Sequence, residues 1–168
     1  MESILSTNPW IEKAQVFVDN QKKLTINVIQ RLPQLRVFDR LGNTYYVDSS
    51  LHELPISEQY THYEVIFVNV PQIKNDSIGN VLKQKMLAVA QYIKRDSFWL
   101  AQTSEVIVND INDFQIVPVM GSHKILLGNA QHLKDKLDNV FAFYQNVLNK
   151  IGWEKYQILD ARYHNQIV

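Results

Sequence analysis

From residue 11 to residue 70 the apolar positions recur mostly every second residue, the period of a strand with one face turned inward. In IEKAQVFV (11–18) the alternation is loose and sets Ala14, Val16 and Val18 to one side. In LTINVIQR it sets Leu24, Ile26 and Val28 to one face. Asp19-Asn20-Gln21 between them is turn chemistry, so the pair predicts a β-hairpin. A short helix with Ile4 and Leu5 is expected ahead of it. It should end at Asn8-Pro9, because the residue before a proline is pushed out of the α region. After Pro33, LRVFD and TYYVD flank Leu41-Gly42-Asn43 and predict a second hairpin. Residues 49–60 read as a polar loop around Pro55. YEVIFVNV (63–70) is rich in β-branched residues and predicts a strand ended by Pro71.

The period changes in two later stretches. Ile78, Leu82, Met86, Val89 and Ile93 recur every three or four residues, as do Leu133, Leu137, Val140, Tyr144, Val147 and Ile151. Each spacing gives one apolar stripe, which predicts two amphipathic helices packed on a sheet. Asn129 is a candidate cap for the second, and Gly152 stands where a helix stop is expected. Between the helices SEVIVND, FQIVPV and HKILLG predict three strands, the last two joined at Gly121-Ser122. Pro118 within FQIVPV argues for an edge or a bulge there. The closing YQILDARY (156–163) predicts a final strand. Tyr156, Ile158, Asp160 and Arg162 share one face; Gln157, Leu159, Ala161 and Tyr163 share the other, which Leu159 and Ala161 make the more core-like. Strands, helix, three strands, helix, strand is the order of an α+β protein with a mostly antiparallel sheet.

Composition adds bounds. The 168 residues suffice for one ordinary domain or two very small ones, and 46% hydrophobic with 20% charged residues is the range of a folded chain. Lysine plus arginine equal aspartate plus glutamate at 17 each, so nothing points to nucleic-acid backbone or to a polybasic membrane patch. No cysteine is present, which excludes disulfides, thiolate metal sites and a cysteine nucleophile in this chain. MESILSTNPW lacks the basic and apolar regions of a signal peptide. No segment approaches the ~18 consecutive apolar residues of a membrane span, so a soluble chain is expected.

The search for catalytic chemistry returns little. His52, His62, His123, His132 and His164 form no i, i+3 or i, i+4 pair and no HExxH, and are expected to be solvated surface residues. No nucleophile elbow, dinucleotide fingerprint or phosphate loop occurs. Asp110 and Asp113 in NDINDF could do acid–base work but fit a solvated hairpin turn better. Tyr45-Tyr46 and Phe98-Trp99 lack the basic neighbours of a base-stacking platform and are expected in the core. No catalytic, cofactor or metal residue is therefore assigned, and a role in protein interaction is the better class.

Three stretches together resemble one family. NPWIEKAQVFVDNQKKLTINVIQRLPQLRVFD resembles the end of a POTRA domain in the bacterial cell-division family FtsQ/DivIB, with Pro9, Trp10 and Ile11 at the corner and Arg31 and Pro33 at the exit. RLGNTYYVDSS is similar to the family's entry into its β domain. ILDARY is similar to its V-D-L-R-Y strand, with Asp160, Arg162 and Tyr163 matching position by position. The NPW corner, the doubled tyrosine and the NQIV ending resemble the Bacteroidetes branch.

The resemblance implies a partial POTRA (helix plus hairpin) over residues 1–33 and an FtsQ/DivIB-type β domain over 34–168. It also implies that the membrane anchor and the first POTRA strand and helix lie outside this chain. It further implies a non-enzymatic divisome scaffold, single-pass in the inner membrane, with this part in the periplasm. Its partners would be the FtsB and FtsL (DivIC-type) proteins, FtsB adding a strand to the last edge of the sheet and the assembly linking to septal peptidoglycan synthesis. On that basis the expected partner-binding residues are Tyr156, Ile158, Asp160, Arg162, Tyr163 and Asn165, with no cofactor and no nucleic acid. Asp160 and Arg162 also admit a plainer role as a solvated charge pair. Two alternatives are a POTRA module of outer-membrane assembly or secretion and a small α+β ligand-binding protein with a pocket between helices and sheet.

Overall fold

The computed structural model describes residues 2–18, 20, 22–58, 61–74, 76–163 and 166–168. The chain begins with α1 (Glu2–Leu5) and the hairpin β1 (Ile11–Val18) and β2 (Leu24–Gln30). β3 (Pro33–Asp39), β4 (Thr44–Asp48), β5 (Glu53–Pro55) and β6 (Val65–Val70) follow, then α2 (Ser77–Arg95) and α3 (Ser97–Gln102). β7 (Thr103–Asp110), β8 (Asp113–Pro118) and β9 (Lys124–Gly128) lead into α4 (Leu133–Phe143). A π-helical turn (Tyr144–Leu148) carries α4 into α5 (Asn149–Ile151), and β10 (Ile158–Asp160) comes last.

β1 and β2 form a sheet of their own. Ala14, Val16 and Val18 stand opposite Val28, Ile26 and Leu24, so the expected apolar face exists. It is not a core within the described chain, since Val18, Leu24, Ile26 and Val28 are exposed. The hairpin is joined to the rest through Arg31 and Trp10. The Arg31 N–H donates to Trp10 O at 2.8 Å, and the Trp10 ring meets Tyr46 edge-on at 6.1 Å. The Arg31 guanidinium donates to buried Asp48 at 2.9 Å, and Asp48 also accepts the N–H groups of Ser50 and His52 at 2.8 Å.

The other eight strands make one sheet in the order β10-β9-β8-β7-β6-β3-β4-β5. Four ladders are antiparallel, while β3–β6, β6–β7 and β9–β10 are parallel. The parallel step from β6 to β7 needs a long crossover, which α2 and α3 supply. Register puts Leu35, Val65, Val37, Phe67, Val106, Ile116, Ile125 and Leu159 on one face, all buried. Leu82, Met86, Val89 and Ile93 of α2 and Leu133, Leu137 and Val140 of α4 join the same core. Each such side chain contributes roughly 1.5–3 kcal/mol by leaving water. Asp76 starts α2 by accepting the Gly79 N–H at 2.8 Å, and Asp96 starts α3 by accepting those of Phe98 and Trp99. A Cβ on Gly79 would stand 2.0 Å from Lys74 O, so only glycine lets the loop pass this close to the helix.

Several expectations need correction. Ile78 is 70% exposed, one position too early for the α2 stripe. In the second helix Leu148 is buried and Ile151 exposed, because the wide π turn moves the inward position off Val147. The loop at 49–60 holds the short strand β5, invisible to periodicity because only Leu54 of its residues is buried. Pro118 lies on no edge; it ends β8 opposite a register shift in β7, the bulge alternative. His123 is no surface residue: it is 1% exposed, and its Nε2 meets the Tyr144 hydroxyl at 2.7 Å. The final strand spans three residues, not eight. His164 lies outside the described residues.

Candidate functional site

β10 forms one edge of the eight-stranded sheet and pairs only with β9. Gln157 O accepts from Lys124 N at 2.9 Å and Ala161 N donates to Leu126 O at 3.0 Å. Backbone groups alternate along a strand, so Gln157, Leu159 and Ala161 face β9, and the N–H and C=O of Ile158 and Asp160 face outward. The side chains divide as periodicity predicts: Leu159 and Ala161 are in the core.

The strand ends early because Asp160 turns the chain. Its carboxylate accepts the Arg162 backbone N–H at 3.0 Å and the Arg162 guanidinium at 2.9 Å from Nε and 2.5 Å from Nη2. This is an Asx turn closed by a charged fork. The hydrogen bonds from Arg162 hold the Asp160 carboxyl below its ordinary value of 3.8, against the opposing effect of burial. The Arg162 stem crosses Gly128, whose φ is +63°, and a Cβ there would lie 3.0 Å from Arg162 Cγ. Glycine at 128 therefore serves both the turn and the path of the arginine.

The expected partner residues separate on this edge. Ile158 is 52% and Tyr163 50% exposed, and both stand available. Asp160 is buried and committed to Arg162, whose side chain is half exposed. Tyr156 is drawn partly inward against Phe143, ring centres 5.3 Å apart. Asn165 lies outside the described residues.

Sequence reasoning missed one participant. Val168 exchanges two backbone hydrogen bonds with Asp160: Asp160 N to Val168 O at 2.9 Å and Val168 N to Asp160 O at 3.2 Å. Ile167 beside it packs partly buried on the core. A backbone pair carries no side-chain signature, so the residue types held no sign of a tail that folds back.

A cavity of about 470 Å³ beside Arg162 is lined by Asn112, Leu127, Gly128, Asn129, Gln131 and Lys136. The Lys136 ammonium is already saturated by Leu127 O at 2.7 Å and by Asn129 O and Oδ1, each at 2.9 Å. Asp113 accepts from Asn109 at 2.9 Å in the β7–β8 hairpin, as a structural turn residue does. Among the described residues no group of three or more His, Asp or Glu is placed to hold a metal ion.

A mixed sheet with helices on one face and β10 at one edge defines an α+β domain. Residues 32–168 match the family model described as FtsQ/DivIB, C-terminal related, and the chain belongs to this family. No curated protein matched the chain. The family is one of membrane-anchored, non-enzymatic cell-division proteins. Among the described residues no helix is long and apolar enough to cross a membrane.

Proposed function

We propose that the chain is a divisome scaffold that binds FtsB- and FtsL-type (DivIC-type) proteins by strand addition to β10. Residues 1–33 then form the end of a POTRA domain and 34–168 the partner-binding β domain. An anchor outside this chain holds both on the outer face of the inner membrane, and the complex links early division proteins to septal peptidoglycan synthesis. The observation that carries this reading is the outward backbone of Ile158 on a sheet edge. An added strand gains affinity from such backbone groups and specificity from the side chains beside them. Ile158 offers an apolar contact, Tyr163 an amphipathic ring of the kind enriched at interfaces, and the exposed half of Arg162 a charge for an acidic partner residue. Asp160 orients Arg162.

Tyr163→Ala tests the reading. Isothermal titration with the purified FtsB-type partner should show binding weakened by about tenfold or more, as for an interface hot spot. Thermal stability should hardly change, because the ring is half exposed. Undiminished binding with a lowered melting temperature would make the strand end purely structural.

A further inference from the structure

The outer side of β10 is already in use. Asp160 and Val168 exchange both backbone hydrogen bonds, the arrangement of a hydrogen-bonded pair between antiparallel strands. Ile167 anchors this contact by packing on the core. The tail therefore sits where an incoming strand would bond to Asp160. The neighbouring Ile158 turns its backbone outward, and no described residue bonds to it there.

We infer that residues 166–168 form an intramolecular strap on the docking edge, which a partner strand must displace at Asp160. The inference rests on the docking function proposed above and adds its regulation. Ile158 provides the open end where an incoming strand first pairs. Pairing then advances to Asp160 by exchanging the Val168 bonds for equivalent ones. Because the bonds are exchanged one for one, release of the strap leaves no backbone group of Asp160 unpaired. Apparent affinity is reduced by the fraction of molecules with the strap closed.

Four measurements with the purified FtsB-type partner test this. A chain ending at Tyr163 should bind roughly tenfold more tightly, by the same population argument. Ile167→Asp in the full chain should act in the same direction, since it removes the anchor and keeps the tail. In the unmodified chain, amide exchange should show the Val168 N–H losing protection on partner binding while the Asp160 N–H keeps its own. Ile158→Pro removes the outward N–H and leaves the β9 ladder intact, so it reports on docking alone. If Ile158→Pro abolishes binding, but shortening the chain leaves affinity unchanged and Val168 stays protected in the complex, the strap is overturned and docking stands. If Ile158→Pro has no effect either, the docking edge itself is wrong and the strap's regulatory role falls with it.

Discussion

The two edges of the eight-stranded sheet are closed in different ways. At one edge β5 is sealed by its own residues: Pro55, paired opposite Tyr45, has no N–H to offer. Glu53 of the same strand is held by the buried Lys83 ammonium at 2.7 Å. At the other edge β10 has no proline, and its buried carboxylate, Asp160, is paired with Arg162. The strand is covered at Asp160 by two backbone hydrogen bonds exchanged with Val168 and left open at Ile158. Edge strands invite pairing with other chains, and natural proteins block those that are not used. If the Val168 pair opens as inferred, one edge stays blocked and the other becomes free, the asymmetry expected of a domain that docks a partner strand on one side only.

The largest effect should come from splitting β10 between its two neighbouring residues. Leu159→Ala removes a fully buried side chain and should lower unfolding free energy by about 2–4 kcal/mol, measured by urea denaturation. Ile158→Ala, one position away, should change stability by less than about 0.5 kcal/mol, as surface substitutions usually do, and act on partner binding instead. Equal effects of the two on stability would mean that the edge is core and not surface.

A smaller effect should follow from opening the blocked edge. Pro55→Thr restores an N–H to β5 and should cost roughly 0.5–1 kcal/mol through a freer unfolded chain. Sedimentation velocity should then show association that grows with concentration, absent in the unmodified chain. If the variant stays monomeric at all concentrations, Pro55 is not what closes that edge.

The smallest effect distinguishes the docking end by pH. His123, next to the start of β9, has its pKa lowered from 6.5 by burial, although Glu154 opposes this. A depressed folded value means that its contribution to stability is complete above pH 6.5. That contribution falls as pH drops below 6.5 toward the folded value, because the unfolded chain takes up the proton first. Its Nδ1 is buried with no hydrogen-bond partner among the described residues, so a proton there would be unpaired. Thermal unfolding at a series of pH values should show a loss of stability below pH 6.5 that His123→Asn abolishes.

Alternation made much of this legible. It identified the core face of β10 through Leu159 and Ala161 and the hairpin at 11–30, and the sequence resemblance at Asp160, Arg162 and Tyr163 pointed to the edge. What stayed hidden depends on neighbours distant in sequence or on the backbone alone. His123 is buried because Tyr144 and Trp153 arrive from a later helix and loop. The π turn shifts the helix phase by backbone geometry, so a stripe read at fixed spacing misplaces Val147 and Leu148. β5 is too short for a period to show. The Val168 pair is made wholly of backbone groups, and nothing in the residue types of the tail encodes it.

The central claim is that a partner strand pairs with the outward backbone of Ile158. Amide hydrogen exchange of the full chain, with and without the purified FtsB-type partner, tests this directly. The account predicts that the Ile158 N–H exchanges freely alone and becomes protected in the complex, with no comparable change along β5. Binding that protects other amides and leaves Ile158 exchanging as before would contradict it.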